Sequence, residues 1–96
     1  MTIVILPSAR NDLADGLAFY EHQQPGLGST FLESLFSDID SLRLYAGVHR
    51  RVFGFYRLLS KRFPYAIYYE VEKGEAQVHA VVDCRRSPAW IRAHLK

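Results

Sequence analysis

The 96 residues contain one cysteine, Cys84, and one methionine. A single thiol cannot close an internal disulfide, so stability cannot rest on one, and a reducing cytoplasm fits best. Long apolar runs are also missing. The apolar start, Thr2 to Leu6, stops at Pro7 with no basic segment before it and no cleavage site after it, so no signal peptide is expected. No run approaches the ~18 residues of a membrane span, so no membrane contact is expected. A phosphate-cradling loop is absent, because Pro25-Gly26-Leu27-Gly28 lacks the strand-to-helix Gly/Lys pattern. The four histidines (His22, His49, His79, His94) show no metal-ligand spacing, and neither a metal nor another cofactor is implied. Repeats, linkers and low-complexity segments are lacking too. The expectation is one cytoplasmic domain covering 1–96, which buries roughly 60–65% of its unfolded surface.

The chain does hold a divided charge. The net value is +2, but residues 1–50 carry three basic against six acidic side chains, whereas residues 51–96 carry nine against four. A basic second half suits phosphates or an acidic protein segment.

Hydrophobic periodicity sets out the elements. Thr2–Leu6 reads as a strand. From Ser8 to about Gln23 the spacing turns helical, with Ala9, Leu13, Leu17 and Tyr20 on one stripe, Ser8 as N-cap, and Asp12 and Asp15 near the positive end of the dipole. Thr30 and Glu33 read as a capping box for a second helix whose apolar face is Phe31, Leu32, Leu35, Phe36, Ile39 and Leu42. The period then falls to two. Val52–Arg62 contains a strand centred on Phe55–Leu59, with Phe55, Arg57, Leu59 and Lys61 on one face. Tyr65–Glu72 is a strand with Tyr65, Ile67, Tyr69 and Val71 facing one way. Lys73-Gly74 is a hairpin turn, and Gln77–Cys84 is the last strand, with Val78, Ala80, Val82 and Cys84 as its core face. Pro88 opens a final helix, Ala89–Leu95. The fold class is α+β, in the order β-α-α-β-β-β with a short C-terminal helix. A helical hairpin packs on one face of a mostly antiparallel sheet, leaving the other face for solvent or a partner.

Familiar catalytic sets do not assemble on this frame. Cys84 and His79 lie five residues apart on one strand and face opposite sides. Asp83 and His79 share a face but stand about 13 Å apart. Cys84 reads as a small core residue. The basic residues remain: Arg57, Lys61, Arg62, Arg85 and Arg86, with Trp90 and Arg92 close behind. Arginine grips phosphate through a planar fork, lysine supplies a point charge, and an aromatic such as Trp90 or Tyr56 can stack on a base. Arg57, Lys61 and Arg85 are expected to converge at one edge of the sheet. Leu17, Tyr20, Phe36, Phe53 and Phe55 exceed what a small core obviously accommodates, and an interface is expected over them.

Four segments carry a family resemblance. Phe55-Tyr56-Arg57-Leu58-Leu59, Arg62-Phe63-Pro64-Tyr65-Ala66-Ile67-Tyr68-Tyr69 and Val81-Val82-Asp83-Cys84-Arg85-Arg86-Ser87-Pro88 resemble the second half of RelE/ParE-type toxins, and Pro7-Ser8-Ala9 with Asp12-Leu13 resembles their first helix. Where many relatives have a histidine, this chain has Asp83. The resemblance implies a growth-inhibiting toxin of a type II toxin–antitoxin (plasmid-stabilisation) pair. A cognate antitoxin, encoded alongside, wraps it and alone supplies contact with operator DNA. RelE-type members cut mRNA on the ribosome without a metal; ParE-type members poison DNA gyrase; a third possibility is an inactive toxin fold retained for antitoxin binding and autoregulation. The resemblance puts Arg57, Lys61 and Arg85 forward as candidate catalytic residues, and Arg57, Lys61, Arg62, Arg85, Arg86 and Trp90 as target contacts. Lys61 is the one nearby candidate base, since arginine stays charged at cellular pH. RelE-type toxins place a tyrosine in the C-terminal region, where this chain offers Trp90. An indole has no useful acid–base capacity, which tilts the resemblance toward the ParE-like branch.

Overall fold

The computed structural model describes residues 1–96. β1 (Thr2–Ile5) leads into α1 (Pro7–Gln23), α2 (Leu27–Asp40) and a single turn, α3 (Leu42–Tyr45). β2 (Arg51–Val52), β3 (Phe55–Leu59), β4 (Tyr65–Glu72), β5 (Glu75–Asp83) and α4 (Pro88–His94) follow. The sheet runs β1-β5-β4-β3-β2, with β1 parallel to β5 and every other pair antiparallel. The α+β class and the helical hairpin stand as expected, with a helical turn and a short edge strand added.

Both predicted helix starts move, each for a local reason. In α1 the residue before the helix is Leu6, and Pro7 takes the first helical position, where its missing N–H costs nothing. Ser8 is therefore inside the helix and caps nothing, and neither Asp12 nor Asp15 falls in the first turn. α2 begins at Leu27, ahead of Thr30, because Glu21 at the end of α1 caps it: its carboxylate accepts from the N–H groups of Gly26 and Gly28 at 3.0–3.1 Å. Gly26, at φ 89°, makes the turn that brings those amides round. Thr30 instead donates to the Gly26 carbonyl, so no capping box forms.

The α1–α2 hairpin covers one face of the sheet. Ala9, Leu13 and Tyr20 of α1, and Phe31, Leu35 and Ile39 of α2, pack with Leu42 against Tyr65, Ile67, Tyr69, Ala76, Val78 and Val81. Tyr20, Phe31, Phe63 and Tyr65 form an aromatic knot with ring centroids 4.9–6.1 Å apart. Gly16 makes room for it, since a Cβ there would sit 2.5 Å from the Phe31 ring.

Within Val52–Arg62 the expected strand lies at Phe55–Leu59 as β3, with a tight hairpin turn to β2 before it and a loop after it. Phe53 and Gly54 both take positive φ, at 56° and 86°, as a two-residue hairpin turn requires. Phenylalanine gives no sequence signal for that conformation. Tyr65–Glu72 and the Lys73-Gly74 turn (φ 50° and 75°) are as read.

β5 departs from the expected alternation. Tyr68 pairs with Ala80 and Tyr69 with Val78, so His79 is an unpaired bulge. The bulge shifts the phase by one residue. Ala76, Val78 and Val81 face the helical hairpin, whereas Ala80 and Val82 face the other side. On that second face Ala66, Tyr68, Ala80 and Val82 meet Ile91 of α4, with Val52, Phe53, Phe55 and Leu95 packed around them. The face expected to await a partner is partly covered by the chain's own C-terminal helix. Tyr20 is likewise buried, and Phe53 and Phe55 belong to this second cluster. Cys84 lies beyond the strand end and is exposed, not a core residue.

Candidate functional site

The basic residues do not converge. Arg57 sits on the second face, coupled electrostatically to Tyr68 and Cys84. Its Nε is the one buried side-chain nitrogen or oxygen in the chain without a hydrogen-bond partner. A buried donor left unmade costs about 1–3 kcal/mol, so a group in this state marks a place where an acceptor belongs.

Lys61 and Arg62 follow the end of β3 and turn toward α2. There they line a recess of about 220 Å³ with Glu33, Ser34, Ser37 and Asp38. Asp38 is buried and accepts from the Ser60 hydroxyl at 2.7 Å, which pins this loop to the helix. Lys61 therefore shares no face with Arg57, because β3 ends at Leu59 before the alternation reaches it.

Arg85 and Arg86 go a third way. Arg85 forks onto Asp83, with Nε–Oδ1 at 2.9 Å and Nη2–Oδ2 at 2.7 Å. The hydrogen bonds from Arg85 hold the Asp83 carboxyl below its ordinary range, and the same carboxylate raises Arg85 further. This pair lies toward the helical side, within electrostatic reach of Tyr20 and Tyr65; burial first, then Tyr20, pushes the Tyr65 hydroxyl up to about 12. Arg86 stacks over Trp90 at 4.4 Å, and Trp90 stacks on His94 at 4.8 Å with their planes 10° apart. Arg92 reaches across the second face to lie over Phe53 at 5.1 Å.

Arg86, Trp90 and His94 border a cleft of about 410 Å³ whose opposite wall is Asp12, Asp15 and Phe19 of α1. Sequence reasoning missed its central group. Asp12 accepts from the Val81 N–H at 2.9 Å through one oxygen and meets His94 Nε2 at 2.8 Å through the other. Burial, the largest influence, raises its carboxyl above the ordinary value. The pattern Ser8-x-x-x-Asp12 held the available signal, being two polar residues on one helical face.

The bulge also decides how His79, Asp83 and Cys84 stand to one another. His79 packs against Phe55, with centroids 4.9 Å apart, on the second face. Asp83 lies on the helical side near Tyr20 and Tyr65, so the two share no face. Cys84, coupled to Arg57 and Tyr68, joins the second face with His79, and the opposite-face objection to that pair lapses. Five strand residues still separate them by about 16 Å, too far for a dyad. Although the residue is exposed, the protein packed against one side of the sulfur partly desolvates it and raises Cys84 above its ordinary value, the reverse of what a nucleophile needs.

The largest concavity is apolar. Ile3, Val4, Ile5, Leu13, Ala14, Leu17, Leu32 and Phe36, with Arg10 at the rim, line a groove of about 590 Å³ between β1 and the helical hairpin. Phe36, expected within the core face of α2, is 44% exposed here. Of the five residues expected under an interface, Leu17 and Phe36 lie in this groove.

The chain matches no protein-family model and no curated protein. Among solved structures it is similar to a chain described as the chromosomal ParDE TA system from P. aeruginosa. The TM-score is 0.78 at 18% identity, over 86% of this chain and 95% of that one. At that identity the likeness is one of fold, and it agrees with the RelE/ParE-type architecture that the sequence segments resembled.

Proposed function

We propose that this chain is the toxin of a type II toxin–antitoxin pair, that it acts in the cytoplasm by poisoning a protein target, DNA gyrase, and that an antitoxin neutralises it. The fold shared with a chain from a ParDE system supports the first part. The apolar groove supports the last: an exposed concavity of that kind on so small a protein is a surface for another chain.

The separation of Lys61 from Arg57 and Arg85 carries the choice of target. Metal-free RNA cleavage needs a base at the 2′-hydroxyl, a cation at the phosphate and an acid at the leaving oxygen, all within one substrate's reach. The candidate base stands against α2, Arg57 lies on one face of the sheet, and Arg85 is bound to Asp83 on the other. Trp90 donates no proton to a leaving group. A protein target, by contrast, can be gripped by cations that are spread apart. Arg57, Arg86 and Trp90 are the proposed contacts.

The deciding experiment is induction of the chain alone, followed by supercoiling assays and RNA end-mapping on the same cells. Loss of gyrase-dependent supercoiling with intact mRNA is the expected result. Codon-spaced mRNA ends with normal supercoiling would install the ribonuclease in its place. Unimpeded growth would point to a toxin fold that only binds its antitoxin.

A further inference from the structure

Three of the eight exposed large apolar side chains fall within five residues, on the turn between α3 and β2: Leu44 is 82% exposed, Tyr45 55% and Val48 71%. Scattered singly, such residues are ordinary on a protein surface; gathered on one turn, they mark an interface.

The turn is held from beneath. Leu42, fully buried, plants α3 on the core. The Val48 N–H donates to the Tyr45 carbonyl at 3.2 Å, and Gly47 takes φ 92°, which closes the chain between Tyr45 and Val48. The hydroxyl of Tyr69, a wholly buried residue, accepts from the Gly47 N–H at 2.9 Å and donates to Nδ1 of a neutral His49. The turn cannot fold its apolar side chains inward without giving up both bonds and stranding that hydroxyl.

The charge around it has one sign. From Ser41 to Tyr69 the sequence holds six basic residues and no aspartate or glutamate. Arg43 pairs with Asp40 and Arg51 with Glu70, whereas exposed Arg50, two residues after Val48, has no ion pair. The Arg50 carbonyl accepts from the Arg57 N–H at 2.9 Å, so the turn adjoins a residue already proposed to meet the target. A twofold contact between two copies through this turn would set Arg50 against itself, which disfavours self-association. An anionic membrane is engaged by clusters of about 4–8 basic residues. Here the remaining unpaired cations of the stretch lie apart, Arg57 on the second face and Lys61 and Arg62 against α2.

We infer that the turn from Leu44 to Val48 is the surface that enters the target protein. An apolar pocket with an acidic rim takes Leu44, Tyr45 and Val48, and a carboxylate of that rim meets Arg50. This rests on the reading of the chain as a toxin with a protein target. A preformed turn loses little conformational freedom on docking, and tyrosine and arginine are the side chains that most often dominate such contacts. The placement also accounts for neutralisation. Arg43, directly before Leu44, borders the continuation of the apolar groove past Phe36. An antitoxin lying in the groove stands next to the turn and keeps the target from it.

The test uses the purified chain, its antitoxin and gyrase holoenzyme. Leu44→Ser combined with Val48→Ser should weaken gyrase binding at least tenfold, with antitoxin affinity within threefold of the parent and an unchanged melting temperature. Val48→Asp should weaken gyrase binding at least tenfold more than Val48→Lys, because the rim is acidic. Unchanged gyrase binding in the double variant, or equal effects of aspartate and lysine, would overturn the inference and leave gyrase as the target. Equal losses of gyrase and antitoxin would give the turn to the antitoxin surface instead. Binding to phosphatidylglycerol vesicles that the double variant loses, with gyrase binding kept, would give it to a lipid surface. If the parent does not bind gyrase at all, the target reading fails, and the occupant named here fails with it.

Discussion

The Asp12 carboxylate accepts a hydrogen bond from the Val81 amide at 2.9 Å, joining α1 to a strand edge 69 residues further along the chain. One turn earlier Ser8 donates to the His79 carbonyl at 2.6 Å. Four helical residues rise about 6 Å, and two strand residues about 6.6–6.8 Å, so a helix laid along an edge can serve alternate backbone groups with side chains one turn apart.

Asp12 therefore has two separable tasks. Asp12→Asn retains an acceptor for the Val81 N–H but loses the charge facing His94; Asp12→Ala loses both. The alanine variant should be destabilised by about 1–3 kcal/mol, the scale of an unsatisfied buried donor, and the asparagine variant by less. Urea denaturation of the two, read against the parent, decides it. Equal midpoints for alanine and parent would remove Asp12 from the edge.

Gly16→Ala tests the aromatic knot. Alanine in a helix interior normally gains about 1 kcal/mol over glycine. Here the added methyl would come within 2.5 Å of Phe31, whose ring is itself wedged among Tyr20, Phe63 and Tyr65. The overpacking cost of about 1–3 kcal/mol should outweigh the helical gain and lower the melting temperature. A higher melting temperature would mean that the knot yields easily.

Cys84, placed in the core by its sequence pattern, is exposed and should label with a thiol reagent in the native state. Partial desolvation of the sulfur by the protein beside it raises its pKa, so the thiolate fraction at neutral pH is small. The labelling rate should climb through a higher pH range than that of free cysteine. A rate already level at neutral pH would mean that Arg57 dominates the thiol after all.

Arg57 and Lys61, which stand apart, should respond differently. Arg57→Ala should abolish growth inhibition, and Arg57→Lys should restore little of it, because lysine lacks the planar fork. Lys61→Ala should leave inhibition within about twofold of the parent, whereas a catalytic base would cost roughly 100-fold or more. Dose-dependent growth curves, with protein levels matched, distinguish these outcomes.

The sequence was most legible where local chemistry acts alone. Tyr65–Glu72 alternates without interruption, and Lys73-Gly74 is a turn whose glycine takes the positive φ its type requires, so both were placed to the residue. It was least legible where a distant residue overrules a local signal. Ser8 and Thr30 are good caps by composition, but Ser8 is drawn to His79, and Glu21 caps α2 before Thr30 is reached. Phe53 in a left-handed turn has no compositional mark. The proposed site suffered most. Period-two alternation carried on to Lys61 puts it on a face with Arg57, and nothing in the sequence marks where that alternation stops or which way Arg85 turns. The strand's end at Leu59 and the Asp83 fork around Arg85 part them.

The bulge at His79 reaches beyond its own position. A regular strand shows every second residue to the same neighbour, so β5 would have offered its whole length to the helical hairpin on one side and to α4 on the other. With one residue taken out of step, the half of the strand beside β1 and the half beside α1 keep different parity. Val78 and Val81, three apart, look the same way, and so do Ala80 and Val82. Flattening the bulge with His79 still in the chain would turn Ala80 and Val82, or else Ala76 and Val78, onto the wrong side, whereas deleting His79 would leave each of them on the side it has now. In this fold one surplus residue changes the count along the strand and leaves unchanged which layer each core side chain meets.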